Sequence, residues 1–135
     1  MPALAINTTY HILTAPELRA LELESNVIWP AVIAKRGDAI VGRLGTLDYE
    51  DMVVAGDLWI EKGITPRVAL RLLEMYEIIL QSLGIQEYLF SVAADNNKWK
   101  LIIDRAGMVD PIEKVEGFTW YRRNLSERRR RCAGP

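Results

Sequence analysis

A chain of 135 residues and 15.4 kDa, half of them hydrophobic and 26% charged, holds enough apolar material for one hydrophobic core, which excludes a multidomain machine and a disordered protein. A single cysteine, Cys132, excludes an internal disulfide and a thiolate zinc cage, and a single histidine, His11, argues against histidine-based metal sites or catalysis. The net charge of −1 is uneven: residues 1–121 carry 11 Lys+Arg and 17 Asp+Glu, whereas residues 122–135 carry 6 and 1, so an acidic body ends in a basic tail.

Phosphate neutralisation needs a basic surface, so only the tail is suited to nucleic acid. No apolar stretch reaches the roughly 18 to 20 residues that cross a bilayer, and the N-terminus has no basic region ahead of its short apolar run. The expectation is a cytoplasmic, unprocessed protein with no membrane association. No segment recurs at a fixed period.

In chain order, a first strand is expected within Leu4 to Leu13 and a short helix from Ala15 to Leu23, with Pro16 suited to a helix start. Ala31 to Lys35 and Ala39 to Leu47 flank the turn Arg36-Gly37-Asp38 and predict a β-hairpin. Asp51 to Glu61 reads as a strand, with Gly56 marking a bulge or a close backbone approach. Thr65-Pro66 reads as an N-cap followed by proline at the first helical position. Ala69, Leu72, Leu73, Tyr76, Ile79, Leu80 and Leu83 then recur at helical spacing, and Gly84 ends the helix. Glu87 to Ala94 is nearly all apolar and predicts a buried central strand. Asp95 or Asn96 caps a second helix with the stripe Trp99, Ile102, Ile103 and Ala106, ended by Gly107. Val109 to Val115 and Gly117 to Arg122 form a closing hairpin. The expected core includes Leu72, Leu73, Tyr76, Leu80, Leu89 and Phe90, and core packing is the default for Trp29, Trp59 and Trp120. The division is one domain over residues 1–122 and a basic tail over 123–135.

The run from Val92 through Asn96 to Gly107-Met108, with the hairpin Ala31 to Leu47 and the long helix after Thr65, resembles the ordered elements of the GNAT acyl-CoA N-acyltransferases over about residues 30–122. The resemblance implies an α+β fold, a mixed and mostly antiparallel sheet flanked by helices. It also implies acetyl-CoA at two splayed strands, its pyrophosphate on backbone N–H groups at the start of the long helix. Counting back from Gly84, the two small positions of the family's pyrophosphate loop fall on Arg67 and Ala69, and its leading basic or amide position falls on Ile64; only Ala69 fits. Pro66 removes a backbone donor. Asn96 matches the family's cofactor-contacting asparagine, and a helix cap explains it equally well. Ile103 stands where many members place a proton-donating tyrosine, and Trp99 where many have a small residue. Glu61 and Asp57 are the candidate catalytic bases.

These departures resemble the small GNAT-like proteins of tailed bacteriophages. That likeness implies a non-catalytic structural or assembly component without a cofactor, virion-associated or cytoplasmic, with Arg128, Arg129, Arg130 and Arg131 docking a protein partner, an acidic surface or a phosphate. The alternative is an acetyl-CoA-dependent N-acetyltransferase with a divergent loop.

Overall fold

The computed structural model describes residues 7–21, 26–93, 95–96 and 109–125. In these, β1 (Thr8–Ile12) leads into α1 (Ala15–Ala20), then β2 (Val27–Arg36), β3 (Ala39–Tyr49) and β4 (Met52–Ile60). The helix α2 (Pro66–Ser82), β5 (Glu87–Ala93), β6 (Val109–Val115) and β7 (Phe118–Asn124) follow. The strands form one sheet in the order β1-β2-β3-β4-β5-β7-β6. Every neighbouring pair is antiparallel except β4–β5. This is the expected α+β architecture with a mixed, mostly antiparallel sheet.

Local chemistry explains the boundaries. Thr14 caps α1 reciprocally: its hydroxyl accepts from the Glu17 N–H at 3.3 Å, and its own N–H donates to Glu17 Oε1 at 3.0 Å. That bonding holds the exposed Glu17 carboxyl below its ordinary pKa. Leu18 then packs with Leu13, Ala31 and Ile33 on one face of the sheet. The other face receives α2, whose Leu72, Leu73, Tyr76 and Leu80 are buried with Phe90 as expected, against Val32, Leu44 and Ala55. Gly84, at φ +81°, ends this helix in the left-handed conformation that favours glycine.

Several expectations need correction. Leu89 alternates with the buried Tyr88 and Phe90, so it faces away from α2 and is only half-buried. Trp29 and Trp59 are exposed, the latter under Arg43, whose guanidinium carbon lies 5.2 Å from the ring centroid. Trp120 is half-buried. The last strand runs to Asn124 rather than ending at Arg122, and Arg123, expected to open the tail, is buried within the fold; Leu125 is buried too. The expected second helix, with Trp99, Ile102 and Ile103, lies outside the described residues, as do Arg128 to Arg131 and Cys132.

Candidate functional site at the diverging strands

Among the described residues one neighbouring pair of strands is parallel, and it is joined by a single bridge, Val54 with Leu89. Both residues are third in their strands, so Ala55 to Ile60 and Phe90 to Ala93 run on without ladder pairing to each other. A cause lies in the neighbouring register. Between the Arg43–Trp59 and Gly45–Gly56 pairs, Asp57 and Leu58 stand opposite Leu44 alone, a bulge immediately after Gly56. The expectation attached to Gly56 therefore holds. A side chain there would meet its neighbours, since an added Cβ would lie 2.5 Å from Leu47 Cδ1.

Because β4 and β5 run the same way, their C-terminal ends lie at one edge of the sheet. At that edge β4 passes into the turn Glu61–Ile64, closed by the Ile64 N–H donating to the Glu61 carbonyl at 3.0 Å. Gly63 takes φ +92° as the third residue of this turn, a conformation that glycine adopts at little cost. An added Cβ at Gly63 would meet nothing within 4 Å, so the backbone here is open to an approaching group.

The N-terminus of α2 follows at once. Thr65 is extended (φ −69°, ψ 149°), its hydroxyl makes no capping hydrogen bond, and no acidic side chain occupies the first turn. A helix leaves its first-turn N–H groups without intrahelical acceptors, and its dipole makes this end positive. Pro66 subtracts one donor. Lys62 and Arg67, both exposed, stand on either side. The Val68 N–H already donates to the Thr65 carbonyl at 3.1 Å, so an anion meets the basic side chains, an uncovered glycine backbone and the Arg67 N–H at this edge.

The expected site residues are thus redistributed. Arg67 and Glu61 lie at the edge, exposed. Asn96 lies there too, its N–H donating to the Ala93 carbonyl at 2.9 Å in the turn after β5. Ala69 does not: it is 1% exposed and packed in the core, because α2 has already begun at Pro66 and its fourth residue faces inward. The glycine-bearing loop is residues 61–65, upstream of the positions reached by counting from Gly84. Asp57 stands on the stretch of β4 that has left β5; its side chain is outside the described residues. His11 shares a 2.9 Å hydrogen bond with the Thr9 hydroxyl.

A buried polar group passed unnoticed in the sequence. Glu77 on α2 accepts from Tyr88 Oη at 2.7 Å and from Arg123 Nε at 2.8 Å, all three side chains being sequestered from solvent. Burial, and the adjacent Glu77 carboxylate, push the Tyr88 hydroxyl well above its ordinary pKa. The signal was present, since Glu77 lies four residues after Leu73 and three before Leu80, inside the apolar stripe. Among the described residues, no cluster of His, Cys, Asp and Glu is arranged to hold a metal ion, and no helix is long and apolar enough to cross a membrane.

No protein-family model and no curated protein matches the sequence. Solved structures do. A GNAT-family acetyltransferase from Staphylococcus aureus superimposes with a TM-score of 0.61 at 16% identity, over 71% of this chain and 67% of that one. The paia N-acetyltransferase of Thermoplasma acidophilum, in complex with coenzyme A, gives 0.63 at 15% identity, over 70% of this chain and 59% of that one. yncA from Salmonella typhimurium, with its cofactor acetyl-CoA, gives 0.64 at 12% identity, over 88% and 94%. The last two correct the expectation of a fold without a cofactor, since proteins of this shape hold coenzyme A or acetyl-CoA. Sheet order, the single parallel pair and these superpositions together give the conclusion: this chain has the fold of the GNAT acetyltransferases.

Proposed function

We propose that the protein is an acetyl-CoA-dependent N-acetyltransferase. The observation that carries this reading is the divergence of β4 from β5 beyond Val54–Leu89, directly ahead of the Gly63 turn and the N-terminus of α2. Beyond that bridge residues 55–59 of β4 and 91–93 of β5 do not pair with each other, which suits an extended pantetheine-like arm laid between the two strands. Lys62 and Arg67 side chains, with the Gly63 and Arg67 N–H groups, hold the pyrophosphate. When bound, acetyl-CoA supplies a thioester carbonyl to an amine. The amine nitrogen forms the new C–N bond, the C–S bond breaks, and the thiol leaves with a proton. Asp57, on the stretch of β4 that has left β5, is the candidate that accepts the ammonium proton; Glu61, beyond the strand, stands on the pyrophosphate side.

The non-catalytic assembly reading rested on the departures at Ile64, Pro66, Arg67 and Ile103 and on the basic tail; the open glycine turn at Gly63 and the neighbours that hold coenzyme A or acetyl-CoA support the acetyltransferase instead. Release of free thiol from acetyl-CoA in the presence of primary amines tests the proposal. The wild-type protein turns over, and Asp57→Asn lowers kcat by about 10²-fold or more. Absence of turnover with every amine, or an unaffected Asp57→Asn, contradicts it.

A further inference from the structure

The two faces of the β4–β5 pair differ in access. Toward α2 the pair is shut, with Ala55, Tyr88, Phe90 and Val92 all buried in the core. On the opposite face, Tyr49 from the end of β3 and Trp120 from β7 meet edge to face, with ring centroids 6.2 Å apart and planes at 81°. The face assignment follows from alternation. Thr46, three residues before Tyr49, bonds Tyr76 of α2, so Tyr49 points the other way. Tyr121 stacks on Phe90 at 5.4 Å on the α2 side, so Trp120 also points away from it.

β3 and β7 are separated in the sheet by β4 and β5, so the two rings span the diverging pair beside the Val54–Leu89 bridge. Trp120 lies directly across from Ser91 of β5. Tyr49 is 45% exposed and Trp120 is half-buried, so apolar ring surface is presented to solvent at this place. Neither ring belongs to the core cluster on either face of the sheet.

We infer that Tyr49 and Trp120 are specificity-determining residues that select, as acceptor, a primary alkylamine whose chain bears an aromatic ring. The inference rests on the N-acetyltransfer reading above. A nucleophile reaches a thioester carbonyl held between the strands from the face that is not filled by α2, which is the face these rings occupy. A third ring laid against the pair extends its edge-to-face packing and removes apolar surface of all three from water. An unbranched alkylamine matches the nitrogen but covers less ring surface.

The test uses the full chain with saturating acetyl-CoA and two probe amines, 2-phenylethylamine and n-butylamine, in the wild-type protein and in Trp120→Leu and Tyr49→Leu. Wild type is expected to favour 2-phenylethylamine by roughly tenfold in kcat/KM, and each variant to lose most of that preference through KM. The Trp120 indole N–H resonance is expected to shift when 2-phenylethylamine is added to the coenzyme A complex. Calorimetry with coenzyme A alone identifies folded, cofactor-competent variants. Coenzyme A binding without ring preference, or with a preference the variants keep, or with no Trp120 shift, overturns this inference and leaves N-acetyltransfer standing. Failure to bind coenzyme A removes the reading beneath it as well.

Discussion

Glu77 is a carboxylate inside an apolar stripe, and its two partners come from elements distant in sequence, Tyr88 on β5 and Arg123 on β7. Arg123 reaches both carboxylate oxygens, with Nε at 2.8 Å and a terminal nitrogen at 3.3 Å, a forked geometry that satisfies the pair. Removing one partner strands the other charge, so Arg123→Met or Glu77→Leu alone is expected to cost about 3 to 5 kcal/mol in denaturant unfolding. The double variant is expected to cost less than either single change, because it leaves no uncompensated buried charge.

A second buried hydroxyl gives a pH signature. Tyr76 Oη and Thr46 Oγ1 are 2.7 Å apart, and burial raises the Tyr76 pKa from 10 to about 12. The folded form therefore keeps its proton where the unfolded form loses it. Its contribution is intact below about pH 10 and is lost as pH rises from there through about 12, a loss on the order of 2 to 3 kcal/mol. Tyr76→Phe should flatten the fall in Tm over that alkaline range while costing about 1 kcal/mol at neutral pH, since Thr46 still donates to the Pro30 carbonyl at 2.9 Å.

At the scale of elements, what the sequence disclosed and what it hid divide along physical lines. Turn residues and periodicity are local, so the β2–β3 hairpin, α2 and the closing hairpin were legible from Gly37, the Thr65-Pro66 start and the spacing of Leu72, Leu73 and Tyr76. Facing is not local: whether Leu89 or Trp120 points into the core depends on which side of the sheet α2 covers. The loop proposed at the candidate site, residues 61–65, lies upstream of the positions counted in the sequence. Counting from Gly84 presumes a family length for α2, whereas the helix start is fixed here by Thr65 and Pro66, leaving Gly63 as the turn glycine. Gly63→Val puts a β-branched side chain at φ +92° and covers the open backbone. It is expected to weaken acetyl-CoA binding by about tenfold or more in calorimetry, with a stability loss of about 1 to 3 kcal/mol. A variant that binds as wild type would place the pyrophosphate elsewhere.

At the scale of the whole molecule, the seven strands among the described residues are held by six joins, and the weakest is the one β4–β5 bridge near the centre of the sheet. A sheet gains stability from pairing its central strands, so an opening there, flanked by the bulge after Gly56 and aimed at the start of α2, is a structural concession that the proposed acetyl-CoA binding would offset. The resemblance read from Asn96 and the elements around it anticipated this architecture, while the absence of a cofactor inferred from Ile64, Pro66 and Arg67 is overturned by solved structures of this shape that hold coenzyme A or acetyl-CoA. Titration of acetyl-CoA into the wild-type chain by calorimetry measures that claim directly. The account predicts saturable binding at one site per chain with a dissociation constant of about 100 μM or tighter, accompanied by a Tm increase of several degrees at ligand concentrations about 100-fold above it. No heat of binding and an unchanged Tm at millimolar acetyl-CoA would contradict it.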